Sequence, residues 1–257
     1  TKSLFMIKKF MHSQAKVIAI IYALFCHGIF AVAGLLMFFT LFFGFSSQIS
    51  PLEKFSGLPL NIILLVQFPL LHSFLLSKKG KMFLRLFYSR RFAGKLDTTI
   101  YATIASTQLF LLFFFWKPSG ILLWKAEGVF YILMTLCYLL GWLLLTVSSF
   151  QAGLSVQTGA LGWVSVFRNI NVKYPNMPNS GLFRIIRHPI YFSFSIILWS
   201  GPYFTVDKIV VAIIYTFYCV SAPLFKERRF IAIYGEKFLK YRARTPYFIP
   251  RLSDIFR

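Results

Sequence analysis

The sequence predicts an all-α integral membrane protein, because it combines a high apolar content, a low charge content and a series of long apolar runs. Of the 257 residues, 58% are hydrophobic and 14% are charged, and the mean hydropathy is +0.69. Soluble domains carry about 45–50% apolar and roughly 25% charged residues, so this chain has too little charge for a water-facing surface. The 32 Phe, 13 Tyr and 5 Trp exclude a disordered chain.

About six membrane spans are predicted, with five to seven compatible with the length, because a span needs about 20 apolar residues. The first run is interrupted only by His27 and is too long for a signal peptide. The second contains Pro69, and Asp207-Lys208 separates the last two, which we expect to form a tight helical hairpin. The runs are Val17–Phe45, Leu58–Leu76, Ile100–Trp116, Gly128–Phe150, Ile190–Val206 and Ile209–Phe225.

The charge distribution predicts that both termini lie on the cytoplasmic side. In the six-span model, 24 of the 28 Lys and Arg residues fall in the N-terminus, the alternate loops and the tail. The other side holds only Lys54, Lys117, Lys125 and Lys208. Membrane proteins retain Lys and Arg in their cytoplasmic loops, so the net charge of +21 indicates topology rather than nucleic-acid binding.

We interpret residues 1–257 as one membrane domain without an internal repeat. Residues 1–150 supply a four-helix front part, and residues 151–257 a loop, the hairpin and a charged tail. Cys26, Cys137 and Cys219 lie inside apolar runs, which excludes a disulfide framework or a cysteine-rich metal site. We expect no metal.

The densest polar cluster stands at the start of the fifth span, in the sequence Arg184-Ile-Ile-Arg187-His188-Pro189-Ile-Tyr191. Proline fits the first turn of a helix, where its missing N–H costs nothing. The free N–H groups of that turn favour an anion, and Arg187 and His188 add donors. A carboxylate or phosphate ligand would fit here; a plain cationic anchor at the membrane surface is the alternative.

The sixth span returns to the same membrane face and ends at Lys226-Glu227-Arg228. Each limb rises about 1.5 Å per residue over a similar length, so we expect Glu227 to lie near Arg187 and His188. A zwitterionic ligand would satisfy both signs of charge. The alternative is a simple interfacial ion pair, which contributes little stability.

The tail is predicted to form an amphipathic helix at the membrane surface and to act as a lid. Its aromatic and aliphatic residues recur at helical spacing between Lys, Arg and Glu residues. These apolar positions are Phe230, Ile231, Tyr234, Phe238 and Tyr241.

These motifs resemble the isoprenylcysteine carboxyl methyltransferase and phospholipid methyltransferase superfamily. The resemblance extends over residues 180–251 and includes Arg187-His188-Pro189-x-Tyr191, Glu227-Arg228, Tyr234-Gly235-x-x-Phe238-x-x-Tyr241 and Pro-Tyr-Phe-Ile-Pro. Within the superfamily, the sequence is most similar to the methanethiol S-methyltransferase group, with nurim-like relatives. The superfamily usually has two adjacent acids at the end of the sixth span, whereas this chain has Lys226 before Glu227.

The resemblance implies an S-adenosylmethionine-dependent methyltransferase whose cofactor binds between the last two spans and the tail. It places Arg187, Glu227 and Arg244 in the chemistry. The cofactor site would comprise Arg187, His188, Pro189, Tyr191, Glu227 and Tyr241. Gln67 and His72, inside the second span, are candidates for the acceptor side because intramembrane polar groups are functional candidates; a structural histidine is equally compatible.

Several functions remain open from the sequence. The first is methylation of a small lipophilic thiol such as methanethiol, and its enzymatic alternatives are isoprenylcysteine carboxyl O-methylation and phospholipid N-methylation. A non-catalytic nurim-like scaffold is compatible with Lys226. A transporter is disfavoured because the front spans carry almost no charge and show no paired half-helices.

The expected partners are membrane lipids and a lipophilic or lipid-linked acceptor, without nucleic acid. The expected location is a bacterial inner membrane, or the endoplasmic reticulum or nuclear envelope of a eukaryote, with the active site facing the cytoplasm.

Overall fold

The computed structural model describes residues 2–46 and 57–251, with side chains from residue 13 onward. Lys54, which the topology prediction uses, and the last six residues lie outside the described residues. Eleven α-helices and a two-stranded sheet occupy the described part of the chain. The helices are α1 (Lys2–Phe42), α2 (Gly57–Leu75), α3 (Lys78–Leu84), α4 (Asp97–Phe115), α5 (Gly128–Gln151), α6 (Leu154–Gln157), α7 (Ala160–Phe167), α8 (Leu182–Ile185), α9 (Pro189–Leu198), α10 (Val206–Tyr234) and α11 (Glu236–Arg244). Two 3-10 turns, Arg85–Phe87 and Arg90–Phe92, follow α3, and the strands are β1 (Leu122–Lys125) and β2 (Tyr203–Thr205).

The all-α membrane class is confirmed. Within the described ranges, five helices are long and apolar enough to cross a bilayer, and α9 is a shorter apolar helix. The five candidate spans lie in α1 from Ser13 onward and in α2, α4, α5 and α10. The sidedness of the termini and the membrane position of the tail helix stay predictions.

The chain divides into two compact units, each drawn from three stretches of sequence. The first comprises the chain up to Met37, Ile63–Phe113 and Leu154–Tyr174. Its core packs the end of α2 and the connection after α3 against α1, α3, α4 and α7. The buried residues are Ala15, Ala19, Leu75, Leu84, Tyr88, Phe92, Leu96, Ile100 and Val166. Close approach of α7 to α4 requires Gly162, because a Cβ there would lie 2.4 Å from Thr99 Oγ1.

The second unit comprises Phe38–Ile62, Phe114–Gly153 and Pro175–Arg257. Here α9 packs against α5 and α10. Gly141 permits the α5–α9 approach, since a Cβ at this position would meet Ile197 Cγ1 at 2.8 Å. Strands β1 and β2 pair antiparallel, a feature that the apolar pattern of the sequence did not predict.

The predicted turn at Asp207-Lys208 is wrong, because both residues lie in the first turn of α10 and are buried. The hairpin turns earlier, where α9 ends at Leu198 and Gly201, with φ of +94°, precedes Pro202 and β2. Glycine tolerates this backbone conformation. Thr205 then caps α10 by accepting from the Lys208 amide at 3.1 Å.

The Asp207 carboxylate fixes the beginning of α10 in the second unit. It accepts from Trp116 Nε1 at 3.0 Å and from the Ser119 amide at 2.9 Å. A carboxylate in the first turn also interacts favourably with the helix dipole. Lys208 is fully buried, donates to the carbonyl of Ser200 and lies over the Phe204 ring. These contacts explain why two charged residues continue a helix at this position instead of interrupting it.

Candidate functional site

The first group of site residues is a buried charge cluster where α9 begins and α10 approaches its end. Glu227 Oε1 accepts from Arg187 Nε at 2.8 Å and lies 2.9 Å from His188 Nε2. Its other oxygen, Oε2, has a longer contact of 3.5 Å with Arg242 Nε. Glu227 is 5% exposed, so the carboxylate depends on these partners for its stability. The predicted proximity of Glu227 to Arg187 and His188 is therefore observed.

Arg187 also attaches the tail to the beginning of α9. Its Nη1 donates to the backbone carbonyls of Arg242, at 3.0 Å, and Thr245. Its own amide donates to the carbonyl of Pro246 at 2.9 Å, and its guanidinium lies over the Tyr247 ring. A guanidinium offers five donors in a fixed geometry, and this one joins α9, α10 and the tail.

His188 precedes Pro189, which occupies the first position of α9. The imidazole is 3% exposed and makes edge contacts with the rings of Tyr191 and Tyr247, whose centroids are 6.1 and 4.9 Å away. Burial lowers the pKa of His188 below its usual value, although the hydrogen bond with Glu227 opposes the shift. Nδ1 is buried and has no hydrogen-bond partner, which makes it a free acceptor when Nε2 carries the proton.

A cavity of about 520 Å³ opens beside this cluster in the same unit. Lys237, Lys240, Tyr241 and Arg244 form one stripe of α11, at the i, i+3, i+4 and i+7 spacing of a helix face. Arg184 on α8 and the preceding Met177 and Asn179 complete the lining. Four cationic side chains and no described carboxylate line the cavity, so its chemistry suits an anionic group.

Tyr241 connects the cavity wall to the charge cluster. Its hydroxyl donates to the carbonyl of Phe183 at 2.5 Å, which fastens α11 to α8. Burial raises the pKa of Tyr241. The positive charge of Arg187 opposes this increase, and the negative charge of Glu227 adds to it. Phe238, one turn away, is buried against Phe230 and Tyr241. α11 is therefore fixed on its apolar side and presents its cations to the cavity.

The tail is two helices rather than the continuous amphipathic helix predicted. Phe230, Ile231 and Tyr234 belong to the end of α10, whereas Phe238 and Tyr241 belong to α11. The break falls at Gly235, where φ is +53° and ψ is −129°, a conformation that is essentially restricted to glycine. The apolar spacing continues across this residue, which explains why the pattern did not reveal the break.

Most of the predicted site residues meet in the second unit. Arg187, His188 and Glu227 form the cluster, Pro189 and Tyr191 follow in α9, and Tyr241 and Arg244 line the cavity. Sequence reasoning missed Met177, Asn179, Lys237 and Lys240, and it placed Arg184 in the polar cluster without a role in the site. The four-residue stripe of α11 was a usable signal, but only the apolar spacing of this segment entered the prediction of an amphipathic helix.

The two acceptor-side candidates lie in the first unit, between α2 and α4. Gln67 and Gln108 are joined by reciprocal bonds, including Gln108 Nε2 to Gln67 Oε1 at 2.8 Å. His72 Nε2 lies 2.6 Å from the Tyr101 hydroxyl, and its ring stacks on Phe68. Both side chains thus have structural partners, which favours a packing role. Among the described residues no group of three or more His, Cys, Asp or Glu side chains is arranged to hold a metal.

The fold and the site together define a multi-helix membrane protein with a buried charge cluster beside a cation-lined cavity. The chain is similar to proteins named methanethiol S-methyltransferase. One from Crocosphaera subtropica is 28% identical over 76% of this chain and 75% of its own length. One from Bradyrhizobium diazoefficiens is 26% identical over 79% and 77%.

The chain is also similar to nurim from Rattus norvegicus, 22% identical over 63% of this chain and 64% of the relative. No family model and no solved structure matches the chain. These relatives confirm the resemblance to the superfamily of membrane methyltransferases inferred from the C-terminal motifs.

Proposed function

We propose that this protein is an integral membrane methyltransferase that uses S-adenosylmethionine to methylate a small lipophilic thiol such as methanethiol. The observation that carries the proposal is the joint position of the Arg187–Glu227–His188 cluster and the cation-lined cavity. It is supported by the similarity to proteins named methanethiol S-methyltransferase.

The residues present fit the chemical groups of the donor. Its carboxylate matches the cations of the cavity, Arg184, Lys237, Lys240 and Arg244. Its amino group matches Glu227 Oε2, which has only a long contact and belongs to the charge cluster rather than to the cavity lining. Tyr241 offers an aromatic face for the purine. When bound, S-adenosylmethionine supplies a methyl group activated by the adjacent sulfonium.

Within this site the protein binds and orients, without a protein nucleophile. Arg187 and His188 hold one oxygen of Glu227, so the other keeps a fixed direction. The bonds from Arg187 to the tail keep α11 in place and thus shape the cavity wall. Fixed geometry of this kind lowers the entropic part of a transfer barrier.

The positive charge beside the site favours a thiol acceptor over an amine. Cations stabilise a thiolate, which is the nucleophilic form of a thiol, and disfavour a protonated amine. We assign this electrostatic role to Arg244. A carboxylate acceptor, as in isoprenylcysteine O-methylation, shares this advantage and remains the first alternative, whereas phospholipid N-methylation is less compatible with the charge.

A non-catalytic scaffold is the second candidate function, and Lys226 favours it. The superfamily usually has an acid at this position, whereas Lys226 lies over the Phe230 ring and adds positive charge near His188. The similarity to nurim is compatible with this candidate.

Titration of the purified protein with S-adenosylhomocysteine separates the two candidates. An enzyme binds this product, and Arg187→Ala and Glu227→Ala abolish the binding. The control is Arg228→Ala, which removes an exposed cation from the helix that carries Glu227 and retains wild-type affinity. Wild-type affinity in both site variants would reject the site. Absence of binding to the folded wild-type protein would favour the scaffold. Methyl transfer to methanethiol, a prenyl-cysteine and phosphatidylethanolamine then identifies the acceptor class.

A further inference from the structure

The connection between α2 and α4 carries a dense positive charge, far in sequence from the proposed catalytic site. From Ser77 to Arg91 it contains six Lys and Arg residues and no Asp or Glu. All six side chains are exposed. They are Lys78, Lys79, Lys81, Arg85, Arg90 and Arg91.

The inner side of this connection is fixed by a buried residue at every fourth position. Gly80, Leu84, Tyr88 and Phe92 are buried, and the last three belong to the apolar core of the first unit. Gly80 allows α3 to begin directly against the end of α2, since a Cβ there would lie 2.1 Å from the Phe74 carbonyl oxygen. The Tyr88 hydroxyl also bonds the Asp97 carboxylate. The outward direction of the intervening side chains is therefore determined by packing.

Large apolar side chains share the outward face with the cations. Met82 is 59% exposed and Leu86 is 77% exposed, and Phe83 and Phe87 are also exposed. Water alone would leave this apolar area uncovered, and hydrocarbon alone would leave six cations unsolvated. The boundary between lipid head groups and acyl chains accommodates both types of side chain.

The position of the connection agrees with such a boundary. The candidate span in α2 ends at Leu75, and the candidate span in α4 begins at Asp97. Ala15, which contacts the same core, lies at the beginning of the candidate span in α1. Three spans of this unit therefore begin or end beside the connection.

We propose that residues 78–91 form a binding surface for the anionic head groups of membrane phospholipids. The exposed Met82, Phe83, Leu86 and Phe87 enter the acyl region, and the six cations bind lipid phosphates at the level of the head groups. Because all the charges have one sign, lipids with net negative charge bind in preference to zwitterionic ones. This surface shares no residue with the proposed methyltransferase site, and the proposal does not depend on that site.

Hydrogen exchange measured by mass spectrometry on the full chain in lipid nanodiscs tests the proposal. We expect amides of residues 78–92 to exchange at least about threefold more slowly in phosphatidylcholine with phosphatidylglycerol than in phosphatidylcholine alone. The difference should shrink near 1 M salt, where the Debye length is about 3 Å, and amides of α5 should not respond. Equal exchange in the two lipids at low salt would overturn the proposal.

Matched variants assign the effect to this surface. Lys81→Gln with Arg85→Gln should remove at least about half of the lipid-dependent protection. Arg168→Gln with Lys173→Gln removes the same charge elsewhere in the unit and should retain it. Met82→Ser with Leu86→Ser should weaken protection in both lipids. Full protection in the Lys81/Arg85 variant, or an equal loss in the Arg168/Lys173 variant, would reject the surface.

Soluble glycerophosphoglycerol, a head group without acyl chains, distinguishes a lipid surface from a site for free phosphate groups. It should give no protection, and protection equal to that by the lipid would overturn the proposal in favour of a free-phosphate site.

Discussion

Glu227 uses its two oxygens unequally, and this asymmetry governs what the residue contributes. Oε1 takes both short contacts, from Arg187 and His188, while Oε2 has only the 3.5 Å contact with the half-exposed Arg242. Removing one partner of a buried ion pair leaves an uncompensated charge, which costs far more than an exposed pair contributes. Arg187, with 10% of its side chain exposed, would be that charge.

The first prediction concerns this carboxylate. Glu227→Gln keeps the shape of the side chain but removes its charge, and we expect a loss of about 3 kcal/mol in the free energy of unfolding. Glu236→Gln is the matched control, since Glu236 is exposed and its contact with Lys240 is 3.7 Å; it should be neutral. Unfolding by a steric-trap assay in detergent measures both. A neutral Glu227→Gln would mean that the cluster is not a stabilising element.

The second prediction is the pH dependence that follows from His188. Burial lowers the folded-state pKa below the usual value, so the unfolded chain binds more protons between the two values, and stability rises with pH there. The neutral form of His188 makes its full contribution to the free energy of unfolding above about pH 6.5. This contribution is lost as the pH falls through the folded-state pKa. The midpoint of thermal unfolding should therefore fall on acidification from about pH 7 to about pH 5, and less steeply in His188→Asn. An unchanged slope in the variant would contradict the assignment. The charged and titratable groups around His188 are Arg187, Tyr191, Lys226, Glu227 and Tyr247.

At the scale of elements, the α5–α9 contact depends on one missing side chain. A Cβ on Gly141 would lie 2.8 Å from Ile197 Cγ1 and 3.2 Å from the Ile197 amide nitrogen. A flexible side chain can move, but a backbone atom in a packed helix cannot without displacing α9. Since α9 begins with Pro189 directly after Arg187 and His188, displacement of this helix also disturbs the charge cluster.

The third prediction uses this contact. Gly141→Val should destabilise the protein by about 1–3 kcal/mol, the usual cost of overpacking, and should weaken S-adenosylhomocysteine binding. Gly34→Val places the same side chain in the middle of α1, where no atom of a neighbouring element lies within 4 Å of the new Cβ, and should be tolerated. Equal stability of the two variants would show that the close approach is not needed.

The fourth prediction concerns the cationic stripe of α11. Lys237→Gln with Lys240→Gln removes two of the four cations that line the cavity while leaving the Tyr241 anchor intact. We expect at least about a tenfold loss of affinity for S-adenosylhomocysteine, because bonds from charged donors contribute about 1.5–3 kcal/mol each. Isothermal titration measures this loss, with Lys173→Gln as an exposed control. Unchanged affinity would remove the cavity from the donor site, although Arg187 and Glu227 would still be open to test.

For the whole molecule, the sequence predicted features that depend on composition and local periodicity. Apolar runs identified the five long helices, and the similar lengths of the last two runs predicted that Glu227 lies near Arg187. The errors arise where one residue changes the backbone direction inside an apolar pattern: Gly201 before Pro202, and Gly235 between α10 and α11. The β1–β2 pair and the cavity lining depend on tertiary contacts between segments distant in sequence, which no local pattern reports.

The last prediction is that the two ends of the chain lie on the same side of the membrane. The 10-residue α9 rises only about 15 Å, less than the ~30 Å hydrocarbon core, so α9 alone cannot cross. Its flanking residues nevertheless bind α10 near both ends, Arg187 and His188 at Glu227 and Ser200 at Lys208. Glu227 and Lys208 are 19 residues apart on α10, about 28 Å of helix rise. Residues 187–200 therefore run beside α10 from Glu227 back to Lys208, which supports a sixth crossing. Reporter fusions at each end should give the same compartment, as the distribution of Lys and Arg predicts; opposite compartments would mean that α9 is re-entrant and that only the five long helices cross.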